Sequence, residues 1–308
     1  MDSLKGDGWW KGFWQLADPK IWIASTIPML VGAALAYGLE GKFHLLWFVI
    51  SLIGIYFIEI GKNAINEYID YESGVDLNVA MDKRTPFSGG KKTIIQGKLS
   101  LEQVKHITIL TFLLAAIVGL IIVFFREPRV LWIGILGMGL SIFYSLPPFK
   151  FAYFGLGEIA VGLTFGPLIL LGMYVVMGGS FDYRVVMAGL PLGFLITNVL
   201  WINQYPDYEA DKEGNKKNWL VRMGKEKGLK IYVLLFALAY ISFIPLSLVY
   251  GNPLWLMGWG SIPLAIKAVG ISRREYDNIP KLVVANGYTV MIYQISGLFM
   301  IIAGIMTS

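Results

Sequence analysis

The segment FHLLWFVISLIGIYFIEIGKNAINEYIDYE, Phe43 to Glu72, begins as an apolar run long enough to cross a bilayer and ends in the acidic heptapeptide Asn66-Glu-Tyr-Ile-Asp70-Tyr-Glu72. The heptapeptide returns 137 residues later as Asn203-Gln-Tyr-Pro-Asp207-Tyr-Glu209, identical at five of seven positions and again closing a long apolar run. A helix needs about 20 apolar residues to span about 30 Å of hydrocarbon, because no water there satisfies an open backbone. The pairing therefore reads as a membrane helix tipped with acid, made twice.

The remainder of the chain agrees. Of its 308 residues 56% are hydrophobic and 15% charged, and the mean hydropathy is +0.61. Soluble domains carry roughly 25% charged residues. Nine spans are expected, near 21–39, 43–66, 104–125, 130–149, 155–178, 184–205, 229–250, 253–270 and 284–305. The eighth carries Pro253, Gly258, Gly260 and Pro263, which bundles tolerate. Residues 1–20 interleave Trp9, Trp10, Phe13 and Trp14 with Lys5, Lys11 and Lys20, an interfacial pattern unlike a cleaved signal. There is no cysteine, which excludes disulfides and thiolate chemistry. With the N-terminus cytoplasmic, twenty Lys and Arg fall in loops on that side and four, Lys42, Arg126, Arg129 and Arg184, on the other. The positive-inside rule then places both heptapeptides on the cytoplasmic face.

The copies close the second and sixth spans. The expected fold is thus all-α, with nine transmembrane helices in two parallel four-helix repeats, about 20–150 and 151–270, plus one further helix, forming a single domain over 1–308. Each copy opens a polar segment, about 67–100 and 206–228, and long loops in compact proteins tend to be functional. Together they are expected to cap a central cavity on the cytoplasmic side. On a helix Asn203, Asp207 and Asp211 lie at i, i+4 and i+8 and share one face. The first copy differs, because Gly74 predicts a helix end and Asp76 lies beyond it. Pro206 is expected to kink the second.

Any one of Asp70, Asp76, Asp207 and Asp211 reads as an ordinary carboxylate at a helix end. Four of them, in duplicate and each pair preceded by an Asn, would repel one another unless a cation lay between them. With no nearby His and no Cys the ligands are all oxygen, which favours Mg²⁺, accommodates Mn²⁺ and disfavours zinc. The metal set is Asn66, Asp70, Asp76, Asn203, Asp207 and Asp211. Lys83, Arg84, Lys91, Lys92, Lys150, Lys212 and Arg222 are candidates for phosphate, the lysines as point charges and the arginines as forks. Glu59 and Lys62 read as an i, i+3 pair, and Asn286 as an interhelical hydrogen bonder. Glu158 stands at the start of the fifth span, where a carboxylate faces either a neighbouring helix or a cavity.

On Asn66-Glu67-Tyr-Ile-Asp70…Gly74-Val-Asp76 and Asp207-Tyr-Glu-Ala-Asp211, followed by Gly214-Asn-Lys-Lys-Asn218 and Val221-Arg222-Met-Gly224, the chain resembles the UbiA superfamily of intramembrane prenyltransferases over essentially its whole length. Tyr144-Ser-Leu-Pro-Pro-Phe-Lys150 and Gly155-Leu-Gly-Glu158 look most like the dihydroxynaphthoate branch. Glu67 departs from the family's Asp, and Asp18 stands before Pro19 where relatives have Arg. The resemblance implies Mg-dependent transfer from an isoprenyl diphosphate to a lipophilic aromatic acceptor, with membrane lipid and no nucleic acid as partners. It implies catalytic roles for Asp70, Asp76, Asp207 and Asp211, with Asp76 an alternative base toward the acceptor hydroxyl. Lys83, Arg84, Lys150, Lys212 and Arg222 would hold diphosphate, and Tyr68, Tyr144 and Glu158 would line the substrate cavity. A hydroxybenzoate or a glyceryl phosphate lipid is an alternative acceptor. A transporter would instead place paired charges at mid-membrane, where most of these spans are bare.

Overall fold

The structure, a computed structural model, describes residues 5–74, 85 and 90–307. An amphipathic helix, α1 (Lys5–Ala17), leads through a 3-10 turn into α2 (Ile23–Glu40) and α3 (Leu45–Glu72). Then come α4 (Leu101–Phe125), α5 (Val130–Phe143) and the single turn α6 (Phe151–Phe154). The next span is composite: α7 (Gly157–Leu163), a π-helical turn over Thr164–Leu168, and α8 (Ile169–Val176). The second half continues with α9 (Tyr183–Glu213), α10 (Trp219–Met223), α11 (Lys225–Val249), a 3-10 segment over Pro253–Ser261 running into α12 (Ile262–Glu275), and α13 (Ile279–Ile305). No strand occurs among the described residues.

Eight helical stretches among the described residues are long and apolar enough to cross a membrane. The fourth expected span is the exception: α5 has 14 residues, which at 1.5 Å per residue reach only about 21 Å. The reason is Pro147-Pro148, which supplies no amide donors and turns the end of the predicted 130–149 segment out of the helix. Large apolar side chains such as Leu46, Phe124, Phe125, Trp132 and Leu248 point outward, as lipid permits and water does not.

Both heptapeptides lie in the final turns of the two longest helices, α3 and α9. The first helix ends as expected, with Gly74 in the left-handed region at φ 78°. Pro206 does not break the second, which runs on to Glu213. Where α7 and the π turn cross α9, glycines face glycines. A Cβ on Gly193 would sit 2.7 Å from the Gly162 carbonyl oxygen, and one on Gly166 would sit 2.7 Å from Gly193 Cα. In lipid such close approach provides the packing that apolar burial cannot.

Glu67, the acidic residue that departs from the family pattern, is buried and turned away from its neighbours Asn66 and Asp70. Its Oε2 accepts the amides of Lys91 (2.8 Å) and Lys92 (3.0 Å). Its Oε1 accepts the amides of Thr93 (2.6 Å) and Ile94 (3.2 Å) and the Thr93 hydroxyl (3.0 Å). The chain around Lys92, itself left-handed at φ 64°, wraps the carboxylate as an anion nest. Lys91 Nζ also pairs with Asp18 at 2.6 Å, so this turn ties α1 to the end of α3.

Two outcomes follow from these contacts. Replacing Gly193 by Val should lower unfolding stability by about 1–3 kcal/mol, the usual cost of overpacking, measured by thermal unfolding in detergent. Replacing Glu67 by Ala strands a cluster of buried donors. It should cost about 2–3 kcal/mol and open residues 90–99 to limited proteolysis.

Candidate active site

A polar cavity of about 180 Å³ lies between the ends of α3 and α9, lined by Asn66, Tyr144, Glu158, Asn203, Gln204, Asp207, Asp211, Lys216 and Asn218. The expected helix phasing holds, since Asn203, Asp207 and Asp211 present a single ridge to it. The first copy enters from the other side. Asn66 accepts the Ser145 hydroxyl at its Oδ1 (2.7 Å) and donates from Nδ2 to Asp70 Oδ2 (3.1 Å). Asp70 Oδ1 accepts the Tyr153 hydroxyl at 2.6 Å.

Lys216 joins the two copies. Its mostly buried ammonium donates to Asp70 Oδ2 at 3.2 Å and stands 3.8 Å from Asp211 Oδ1, so the two carboxylates lie within about 7 Å of each other. The Tyr153 ring lies under the same ammonium at 5.5 Å. Burial alone would push the Lys216 pKa down, but Asp70 and Asp211 outweigh it and hold the pKa well above the ordinary lysine value. The opposite sign applies to Tyr153, whose phenol is pushed up by burial and then by Asp70. Lys216 is therefore cationic and Tyr153 a neutral donor.

Local sequence explains how Lys216 reaches the cavity. After Glu213 the chain turns through Gly214 and Asn215, the latter left-handed at φ 57°, which Asn tolerates better than most residues. The Lys216 amide then donates back to the Asp211 carbonyl at 2.8 Å, and the Lys217 amide to Tyr153 at 2.9 Å. Asn218 caps α10 by accepting the Val221 amide (2.8 Å), while its Nδ2 donates to Asp211 Oδ2 (2.8 Å). Asn203 accepts from Asn286 Nδ2 at 2.7 Å, the interhelical role expected of Asn286.

Not every expected residue converges on the cavity. Tyr68 points away and donates to Glu72 at 2.8 Å, because its place on α3 is turned from the face that carries Asn66 and Asp70. Arg222 spends its guanidinium on the Lys217 (2.7 Å) and Phe154 (2.9 Å) carbonyls, holding α10 against α6. Lys212 is exposed on the last turn of α9. Lys150 is left-handed at φ 40° and sits 5.0 Å from the Tyr153 ring, beside the cavity without lining it. Lys91 is held by Asp18. Asp76, Lys83 and Arg84 lie outside the described residues. Sequence reasoning passed over Lys216, Tyr153, Gln204 and Asn218. Lys216 and Asn218 stand within Gly214-Asn-Lys-Lys-Asn218, quoted above only as a mark of the resemblance, and nothing local marks Tyr153.

A second cavity, about 330 Å³ and apolar, is walled by residues including Ile55, Ile58, Val118, Ile133, Met138 and Phe165. Glu59 and Lys62, paired at 2.7 Å as expected, stand in its wall. One face of α3 thus passes from Ile55 through Glu59 and Lys62 to Asn66 and Asp70, at steps of three and four residues. It links an apolar chamber to a charged one.

Comparison with known proteins agrees with this geometry. Residues 25–293 match the UbiA prenyltransferase family. The chain is 26% identical over 257 residues to the 1,4-dihydroxy-2-naphthoate octaprenyltransferase of Bacillus subtilis, covering 83% of this chain and 80% of that one. It is likewise 26% identical over 291 residues to the 2-carboxy-1,4-naphthoquinone phytyltransferase of Synechocystis, covering 92% and 89%. A solved UbiA homolog from Archaeoglobus fulgidus superposes with a TM-score of 0.69 at 20% identity over 96% of this chain and 99% of that one. The same homolog solved with DMAPP and Mg²⁺ gives 0.67 at 18% identity over 94% and 98%. With its doubled acidic helix ends facing one cavity, this chain belongs to the UbiA prenyltransferase family.

Proposed function

We propose that the protein transfers an isoprenyl group from a polyprenyl diphosphate to an aromatic acceptor of the dihydroxynaphthoate type. The observation that carries this is the meeting of Asp70 and Asp211 across Lys216, next to an apolar chamber reached along the same face of α3. The naphthoate acceptor is favoured by the named relatives from Bacillus subtilis and Synechocystis.

The donor set suits Mg²⁺. Asn66, Asp70, Asn203, Asp207 and Asp211 offer hard oxygen ligands, and a cation already has to stand between Asp70 and Asp211. Among the described residues no three acidic or histidine side chains form a closed metal cage. That fits an ion that takes one or two carboxylates and shares its other positions with phosphate and water. When bound, Mg²⁺ would draw charge from the diphosphate oxygens. Mn²⁺ would serve with the same ligands.

The protein's own residues supply the rest. Lys216, with Lys150 close by on Tyr153, would meet the negative charge that grows on the leaving diphosphate. The C–O bond breaks with its electron pair leaving on diphosphate, and the acceptor ring supplies the pair for the new C–C bond. The attacked carbon then releases a proton or, where it bears a carboxylate, CO2, and in either case the bonding pair returns to the ring. The apolar chamber holds the tail and keeps water from the allylic cation. In this reading α5 completes nine spans in two parallel repeats within one domain. Residues 67–100 and 206–228 cap the site, and cap and N-terminus are cytoplasmic. Lys83, Arg84 and Asp76 would act from that cap.

Asp207→Ala should weaken prenyl diphosphate binding in Mg²⁺ by about 10²-fold, the scale for disturbing a metal's ligand shell, with thermal unfolding showing an intact fold. Lys216→Met should lower stability in EDTA by about 3 kcal/mol, since it leaves two buried carboxylates facing each other. Mg²⁺ should restore more stability to that variant than it adds to wild type. Equal Mg²⁺ responses would remove Lys216 from this role.

A further inference from the structure

Among the buried acceptor atoms of the residues that line the polar cavity, Glu158 Oε2 and Gln204 Oε1 have no hydrogen-bond partner. They are neighbours with a fixed polarity. Glu158 is buried, and its Oε1 accepts both Gln204 Nε2 (3.0 Å) and the Trp219 amide (3.0 Å). A carboxylate only accepts, so the Gln204 amide nitrogen must face it, and the Gln204 oxygen is turned into the cavity. The Trp219 indole nitrogen donates to the Gly155 carbonyl, and α7 crosses α9 through the glycine contacts at Gly162 and Gly193. The pair is therefore held on packed elements.

An unpaired buried acceptor is costly, so its position signals what binds. A prenyl diphosphate, once ionised, carries acceptor oxygens and no donor, and it cannot satisfy these two atoms. An aromatic hydroxyl can. Resting on the prenyl-transfer reading above, we infer that Glu158 Oε2 and Gln204 Oε1 form the acceptor-recognition subsite. There Glu158 accepts a hydrogen bond from a phenolic hydroxyl of the acceptor ring and Gln204 accepts from a second donor on it. A carboxylate at that hydroxyl pushes electron density into the ring, which raises its nucleophilicity toward the allylic carbon. It also fixes which ring carbon faces the donor. Gln204 occupies the second position of its heptapeptide, where the first copy has Glu67, so the duplicated position serves structure in one half and recognition in the other.

The test uses the full chain in detergent with Mg²⁺, a prenyl diphosphate, and a dihydroxynaphthalene acceptor or its monomethyl ether. Glu158→Gln keeps an oxygen for Trp219 and Gln204 while turning a donor toward the acceptor. It should lower kcat/KM for the acceptor by about 10²-fold, with KM for the diphosphate changed less than about threefold. In wild type, methylating the hydroxyl should cost about the same factor, and in Glu158→Gln it should cost little more, because the interaction is already lost. Gln204→Leu should raise the acceptor KM and spare the diphosphate. Unchanged acceptor kinetics in Glu158→Gln, or a loss of Mg²⁺ and diphosphate affinity that accounts for its loss of rate, would overturn the assignment and, in the second case, make Glu158 a metal ligand. A wild-type protein that turns over no prenyl diphosphate would overturn the prenyl-transfer reading as well.

Discussion

Carboxylates that face each other in a buried cavity repel unless a cation lies between them or one of them takes up a proton. In this protein the cation is Lys216, 3.2 Å from Asp70 and 3.8 Å from Asp211, and much of the local architecture serves to put it there. The left-handed Asn215, the cap at Asn218 and the Arg222 bonds to two carbonyls all fix the 214–224 turn against α6. Tyr153 supports both the lysine and Asp70. The two halves of the chain are thus held together by charge at the site, while small residues pack α7 against α9 within the second half.

The same interaction separates binding from folding. A lysine can neutralise two acids without ligating anything, and it keeps its proton while it does so. In the proposed reaction, Mg²⁺ and diphosphate would bring both further positive charge and new negative charge to that cavity. The ammonium then has a second partner within reach. Donor chemistry and acceptor chemistry divide the cavity between them: charge gathers around Asp70, Lys216 and Asp211, while the neutral amides and the half-satisfied Glu158 carboxylate offer lone pairs.

Divergence between the two heptapeptides shows how a duplicated element acquires separate tasks. The Asn at the first position lines the cavity in both copies, and at the fifth Asp207 lines it while Asp70 is joined to it through Lys216. At the second position Glu67 accepts a nest of amides that ties Lys91–Ile94 to α3, whereas Gln204 turns its oxygen into the cavity. The longer arm of Glu67 suits the nest, and a carboxylate engaged by that many donors has no lone pairs left for a metal.

From sequence alone the membrane class, the all-helical fold, the doubled acidic ends and the i, i+4, i+8 ridge of α9 were legible, because hydropathy and helical period act over short range. So was the departure at Glu67, though not its role. Tyr68 and Arg222 stand off the polar cavity for a common reason: residue type announces a chemical capacity, while direction depends on helix phase and on which carbonyls lie nearby. Lys216, Tyr153 and Gln204 could not be singled out, since their meaning rests on contacts 46 to 146 residues away in the chain or across a cavity. Short-range periodicity specifies which helices form and which ends are acidic. Only the packing of α7 on α9, and the turn that returns Lys216 to Asp70, decides which of those charges meet and what remains unsatisfied for a substrate.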